Sequence, residues 1–418
     1  MGRLGREIAI VGVGMTPFGR SKKDQLEMFG EAAMDAINGS GLKPKDIEAL
    51  FLGNAVGDLS EGQTVIASHA IAEIGLLGKA ATRVEGACAA GTMAIIMGVM
   101  AIASGRYDIV LAAGTERQTV SGTAFATRIM NTGPHHFYEE PTGLTFPGIF
   151  AMMAHYYAKK YDVPLGELKD AMAKVAIKNH KNGAKNPKCQ FPSITDLMEK
   201  RKAKAKQEGK PVPTWADEMD FLHDSKVNMM IAQPLQLFDC CPISDGAAAV
   251  VLAPVDIARK LTDKPVIIAG FGQGAAGGII TQRDFTRLIA RESSAKQAYD
   301  MAGLTPKDID VCELHDCFTI AEIVATEGLG FFDFGEGYKA VERGDTVMGG
   351  KIPINPSGGL KAKGHPVGAT GVAQAYEITN QLRGNCGERQ VEGAKVGMTD
   401  TMGGPFASVA NIIFKRGW

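Results

Sequence analysis

The heptapeptide Gly41-Leu42-Lys43-Pro44-Lys45-Asp46-Ile47 returns 262 residues later as Gly303-Leu304-Thr305-Pro306-Lys307-Asp308-Ile309. A repeat at that distance means that the chain builds one structural unit twice. Each copy follows a stretch with apolar residues at helical spacing: Met28, Phe29, Ala32, Ala33, Ala36 and Ile37 before the first, Ala295, Ala298, Tyr299 and Ala302 before the second. Each copy leads into a short apolar run, residues 49–52 or 311–314, and the strand-like runs 8–12 and 266–270 stand ahead of the two units. Two halves that alternate strands with helices predict an α/β protein whose layers pack face to face.

Two glycine-rich elbows carry the same relation. Cys88 sits in Val84-Glu85-Gly86-Ala87-Cys88-Ala89-Ala90-Gly91, which opens into the run 92–103, apolar on nearly all faces and so expected to be a centrally buried helix, and His365 sits in Gly364-His365-Pro366-Val367-Gly368-Ala369-Thr370-Gly371, ahead of a helix expected to reach about residue 383. Aligning the elbows places Cys88 opposite His365 at an offset of 277 residues, and the 15 extra residues are expected in a loop around 331–343. A lone cysteine is ordinarily packing material. Here a helix N-terminus adds partial positive charge and free N–H groups, which draw a thiol toward ionisation. A third motif, Glu313-Leu314-His315-Asp316-Cys317-Phe318, ends a strand in two groups able to move protons. Acylating a thiol requires a base, and carbanion chemistry requires a second acid or base. Cys88, His365, His315 and Cys317 fill those roles.

Composition excludes several classes. A chain of 418 residues, 45% hydrophobic and 22% charged, with net charge −1, has neither the basic field of a nucleic-acid binder nor an acidic tail. Its seven cysteines are an odd count with one adjacent pair, Cys240-Cys241, so a disulfide framework is not expected; nor does any C-x-x-C pair suggest a zinc site. The N-terminus passes into a strand with no signal-peptide stretch, and the run 89–103 is too short to span a bilayer. These features predict a cytoplasmic protein. Gly12-Val13-Gly14 is no dinucleotide loop, because Pro17 stands where the third glycine belongs.

The three motifs, with Asn179-His180-Lys181-Asn182, the segment from Pro234 to Ala249 and Asn355-Pro356-Ser357-Gly358-Gly359, resemble a thiolase over essentially the whole chain. The resemblance is to the sterol-carrier-protein type, marked by His-Asp-Cys-Phe at 315–318. Other thiolases carry Asn-Glu-Ala-Phe there and a Cys-x-Gly near the C-terminus, where this chain reads Thr399-Asp400-Thr401-Met402-Gly403-Gly404. The resemblance implies a duplicated five-layer α-β-α-β-α fold: residues 1–118 and 236–264 as the N-terminal half, 119–235 as an inserted loop domain over the cleft, and 265–418 as the C-terminal half.

It also implies cleavage of a 3-oxoacyl-CoA by free CoA through an acyl-Cys88 intermediate, or the reverse Claisen condensation. His365 is the expected base for Cys88. His315 and His365 would hold the enolate oxygen, and Cys317 would exchange the α-carbon proton. Backbone N–H groups of Cys88 and of Gly403 or Gly404 would form the oxyanion hole. Asp316 has equal claims to a capping and a catalytic role. Coenzyme A enters as a substrate contacted by Ser357, Gly358 and Gly359, with no metal.

A homodimer or dimer of dimers is implied, with a small zinc-ribbon and oligonucleotide-fold partner subunit as an option, and neither nucleic acid nor membrane as a partner. Two other functions compete: a decarboxylating ketoacyl synthase, against which Cys317 argues, and a non-catalytic CoA-binding subunit. In the insertion, His135, His136, Phe137, Tyr138, Phe146 and Phe150 are candidates to line a bulky or aromatic acyl pocket, as a benzoylsuccinyl-CoA substrate would need. The basic run 200–206 reads as a solvated helix face or as a contact for phosphates or a partner protein, with Trp215 and Phe221 nearby.

Overall fold

The computed structural model describes residues 5–418. The first half supplies strands β1 (Ile8–Met15), β2 (Ala49–Gly53), β3 (Ala80–Val84) and β4 (Val110–Glu116). A hairpin, β5 (Met230–Ala232) and β6 (Leu235–Gln236), ends the insertion, and β7 (Gly246–Pro254) returns to the first half. The second half supplies β8 (Val266–Ala275), β9 (Val311–Glu313), β10 (Val396–Gly403) and β11 (Ser408–Arg416). The two half-sheets are joined into one ribbon of nine strands, ordered β3-β2-β4-β7-β1-β8-β11-β10-β9. The join is narrow: β1 and β8 share the pairs Ala9↔Ile267 and Ile10↔Val266.

Period-two alternation makes five layers from that ribbon. Ile8, Ile10, Val250 and Leu252 face a central core together with Val266, Ile268, Ile412 and Phe414 of the other half. Between the half-sheets lie the helices Ala90–Ala103 and Thr370–Arg383. The opposite side chains, Ala9, Val11, Ala249 and Val251, bury the helix Gln25–Gly39 on the outer face, while Ile413 and Met398 bury the helix Ile289–Ala302 on the other. Packing there is close. A Cβ on Gly12 or Gly14 would lie 2.0 or 2.1 Å from a carbonyl of the Gln25–Gly39 helix, and one on Gly272 or Gly274 would lie 2.0 or 2.3 Å from a carbonyl of its counterpart. The glycine pair after the first strand is thus a helix-packing device.

The repeated heptapeptide forms the same structure twice. Pro44–Asp46 and Pro306–Asp308 are single 3-10 turns, and Asp46 accepts from the Lys43 N–H (2.8 Å) as Asp308 does from the Thr305 N–H (2.7 Å). Three expectations change. Residues 331–343 include a helix, Gly337–Arg343, rather than loop alone. The elbow helix Ala90–Ala103 is not buried on every side, since Met97 and Met100 are 39% and 42% exposed. Trp215 is already engaged: it packs edge-on against Phe221 at 5.0 Å and donates to Asp224, so it offers little to a partner. The basic run lies, as expected, on an exposed helix, Ile194–Gln207. No helix among the described residues is long and apolar enough to cross a membrane.

Candidate active site

The two elbows meet at the centre of the molecule. Cys88 lies in a 3-10 turn, Ala87–Ala89, that runs into the Ala90–Ala103 helix. The residue before it, Ala87, has φ 48°, and the residue before His365, Gly364, has φ 121°. Both elbows therefore present their reactive side chain from a left-handed turn, and at Ala87 that conformation stores strain. Gly91 and Gly368, equivalent positions in the repeat, touch: a Cβ on Gly91 would stand 2.7 Å from the Gly368 carbonyl oxygen.

One ligating atom each from Cys88, His315 and His365 lies within 4.8 Å of the others, and the two imidazoles meet edge to face with centroids 5.1 Å apart. Cys317 joins them. Its thiol is held well above the ordinary range by burial and by the neighbouring Cys241 and Cys88 thiols. Cys241 was not singled out in the sequence; its backbone N–H donates to the Cys317 carbonyl (2.9 Å). Adjacent identical residues gave no signal of which one faces the site.

Hydrogen bonds fix the protonation of His365. Thr370 Oγ1 donates its only proton to the Pro366 carbonyl (2.9 Å), so its 2.7 Å contact with His365 Nδ1 is donation from the ring. Nε2 is left as the basic atom. Burial, His315 and Lys363 together keep the His365 pKa well below its usual value, and burial with Arg291 brings His315 down to about 3. His315 Nδ1 is buried with no partner in the protein.

The expected activation of Cys88 by the helix end is overruled. Cys88 keeps part of its surface open, yet burial of the sulfur pushes the thiol up to about 12. Gly404 N–H and the residue's own N–H favour the thiolate, while Glu116 and Glu85 oppose it. Removing an anion from water costs more here than the turn returns. The resting site is a neutral thiol beside neutral imidazoles.

Gly403 and Gly404 divide the work expected of either. Gly404 N–H reaches the sulfur, whereas a Cβ on Gly403 would fall 2.1 Å from the Gly86 carbonyl oxygen, so Gly403 lets β10 pass against the elbow. Beneath them, the buried Glu116 carboxylate accepts from the N–H groups of Ala55 (2.8 Å), Val56 (3.2 Å) and Gly368 (3.2 Å), tying the first half to the second. Burial raises its pKa to about 7. Asp400, also unnoticed in the sequence, accepts both arms of Arg291 at 3.0 Å and the His315 N–H at 3.4 Å.

Several expected contacts lie elsewhere. Ser357, Gly358 and Gly359 are buried and already partnered: the Ser357 hydroxyl donates to Glu313 (2.6 Å), and a Cβ on Gly358 or Gly359 would strike Gly183 Cα (2.6 Å) or the Asp316 carboxylate (2.3 Å). They form a packing turn, which corrects their assignment to coenzyme A. Asp316 caps that turn, accepting from the N–H of Leu360 (2.7 Å) and from Asn179 (2.7 Å). Within Asn179-His180-Lys181-Asn182, Asn182 donates to the Asn355 carbonyl (3.0 Å), so that motif is also a clamp.

Of the aromatic candidates, Phe150 is buried against Phe318 (4.4 Å) and Phe406 (5.3 Å), while His135, His136, Phe137 and Tyr138 are exposed. Phe146 stands beside the space that Gly133 shares with Gly404. The apolar wall packed with Cys88 consists of Val56, Phe125, Ile129, Met130 and Val367.

Two family models cover the chain: "Thiolase, N-terminal domain" matches residues 8–256 and "Thiolase C-terminal domain-like" matches 272–416. An acetyl-CoA acetyltransferase of Methanothermobacter thermautotrophicus is 42% identical, covering 98% of this chain and 100% of its own. The benzoylsuccinyl-CoA thiolase subunit BbsB of Thauera aromatica is 33% identical over 96% of each chain. Among solved structures, an Ltp2-ChsH2(DUF35) aldolase superposes with a TM-score of 0.77 at 25% identity over 99% of this chain and 98% of that one. Human mitochondrial 3-ketoacyl-CoA thiolase shares the fold, with a TM-score of 0.69 at 18% identity over 99% of this chain and 100% of that one. With its Cys88 and His365 elbows and His-Asp-Cys-Phe strand end, the chain belongs to the thiolase family of acyltransferases, in its sterol-carrier-protein type.

Proposed function

We propose that the protein exchanges acyl groups between a 3-oxoacyl-CoA and coenzyme A through a thioester on Cys88. The convergence of Cys88, His315 and His365 within 4.8 Å carries the reading. His365 Nε2 takes the Cys88 proton as the sulfur bonds to the C3 carbonyl carbon. The oxyanion then forms against the N–H groups of Cys88 and Gly404. Collapse breaks the C2–C3 bond, its electron pair passes into the enolate of the departing acyl-CoA, and the Cys317 thiol protonates C2. Burial suits that thiol to hold its proton until a carbanion forms. The imidazoles of His365 and His315 border the enolate oxygen. Free coenzyme A then attacks the thioester, giving its proton to the Cys317 thiolate, and Cys88 recovers its own from His365. Condensation is the same sequence reversed.

The wall around Cys88 suits an apolar acyl group, and four of the loop residues expected to line a bulky aromatic pocket face solvent instead. The name of the acetyl-CoA acetyltransferase relative supports a short one. Partner copies are part of the reading. Edge strand β3 ends the ribbon and Met97 and Met100 stand exposed on the elbow helix, a surface suited to a second copy of this chain. A separate small subunit is supported by the relatives described as a thiolase subunit and as an Ltp2-ChsH2(DUF35) assembly. Seven free cysteines fit a reducing cytoplasm. Acetyl-CoA should leave an acetyl group on the Cys88 peptide, and acetoacetyl-CoA should be cleaved faster than branched or aryl 3-oxoacyl-CoAs. Absence of the adduct from Cys88 overturns the proposal.

A further inference from the structure

Sequence alone suggested no metal site, since it lacks paired cysteines at zinc-ribbon spacing. The fold nonetheless assembles a ligand set that sequence separation conceals: a thiol from residue 88, and imidazoles from residues 315 and 365. We infer that Cys88, His315 and His365 form a reversible inhibitory site for a thiophilic divalent cation, zinc foremost.

Each ligand is in the form that a metal accepts, or reaches it by losing one proton. His365 gives Nδ1–H to Thr370 and so keeps Nε2 as a free lone pair. Fixing one nitrogen through a hydrogen bond at the other is how protein zinc sites orient an imidazole. His315 has a buried Nδ1 with no protein partner. Cys88 binds as thiolate, its proton leaving to buffer; no electron is transferred. A tetrahedral zinc with bonds of about 2.0–2.3 Å needs ligand atoms about 3.3–3.6 Å apart. These lie within 4.8 Å, so side-chain rotation of roughly an ångström closes the set. One sulfur and two nitrogens match zinc or cobalt and mismatch magnesium or calcium, which prefer oxygen. A fourth position remains for water. Glu116 near Cys88 favours a cation, and Lys363 and Arg291 near the rings oppose it, which fits a site that binds and releases.

Metal binding does not require the acyl transfer proposed above, but its inhibitory consequence rests on that reading. The test titrates cobalt into the full chain after stripping with EDTA. One ion per chain should bind with a thiolate-to-cobalt charge-transfer band, and zinc should displace it. The band should vanish in Cys88→Ser and in wild-type protein alkylated with iodoacetamide, which guards against a folding defect in the variant. His365→Asn removes a direct ligand and should weaken cobalt by more than the roughly 10- to 100-fold lost when only a ligand's hydrogen-bond partner is removed. Zinc should block acetylation of Cys88 by acetyl-CoA, read by intact mass, and EDTA should restore it. A missing band overturns the inference, as does one that survives Cys88→Ser, for example at Cys240 and Cys241, or one indifferent to His365→Asn. Intact acetyl transfer without cobalt binding rejects this inference alone. Cobalt binding without acetylation of Cys88 rejects the proposed function alone.

Discussion

Thr370→Val isolates the hydrogen bond that makes His365 a base. The hydroxyl accepts the Nδ1 proton at 2.7 Å in a buried setting and spends its own proton on the Pro366 carbonyl. Without it, the tautomer with Nδ1–H has an unsatisfied buried donor, which costs about 1–3 kcal/mol. The proton then favours Nε2, and the nitrogen facing Cys88 loses its lone pair. Because acylation needs that lone pair, its rate should fall by the same free energy, about 5- to 150-fold. Stopped-flow acetylation of Cys88 by acetyl-CoA measures this step without thiolysis. Thr370→Ser keeps the hydroxyl and should restore most of the rate, whereas a simple packing defect would persist. A Thr370→Val enzyme acetylated within about twofold of wild type would refute the tautomer argument.

Gly403→Ala should cost about 1–3 kcal/mol of unfolding free energy, read from urea denaturation, and sharply slow acetylation, because the new methyl meets the Gly86 carbonyl oxygen 2.1 Å away. Cys317→Ala should slow cleavage of acetoacetyl-CoA by about 10²- to 10⁴-fold, and acetylation of Cys88 by acetyl-CoA less, because that step asks Cys317 only to protonate a departing thiolate and not a carbon; cleavage at the wild-type rate would contradict the role of Cys317. Stability should decline as pH rises above about 9. Burial keeps Cys88 and Cys240 protonated to about 12 and Cys189 to about 11 in the folded chain, against 9.0 unfolded. The unfolded state therefore loses protons first, and the stabilisation disappears between those values. Urea midpoints at about pH 8 and about pH 10.5 read the slope, and Cys189→Ala should flatten it.

What the sequence disclosed was whatever repeats or whatever chemistry makes rare. The paired heptapeptides and the two elbows were visible because duplication preserves spacing, and they located Cys88, His365 and the strand end bearing His315 and Cys317. Side chains that act by burial left no such trace. Glu116, Asp400 and Arg291 look like ordinary surface charges until the fold surrounds them. The Ser357-Gly358-Gly359 turn suggested a ligand loop because glycine permits two things, close approach of a ligand and close approach of backbone, and the chain uses the second. The exposed loop aromatics show the converse: hydrophobic composition does not tell which face a loop presents. Cys88 is less acidic than its local motif implies, because desolvation depends on the packed surroundings, which a local motif does not contain.

Gly91 and Gly368 lie where the two copies press together, a few residues from the sulfur and the imidazole. A larger side chain at either position would wedge the seam open and draw the two reacting groups apart. The interior of this protein therefore cannot drift without altering turnover. Room for divergence among its relatives is left to the outer helices and the inserted segment, where a change in shape need not reach the reacting pair.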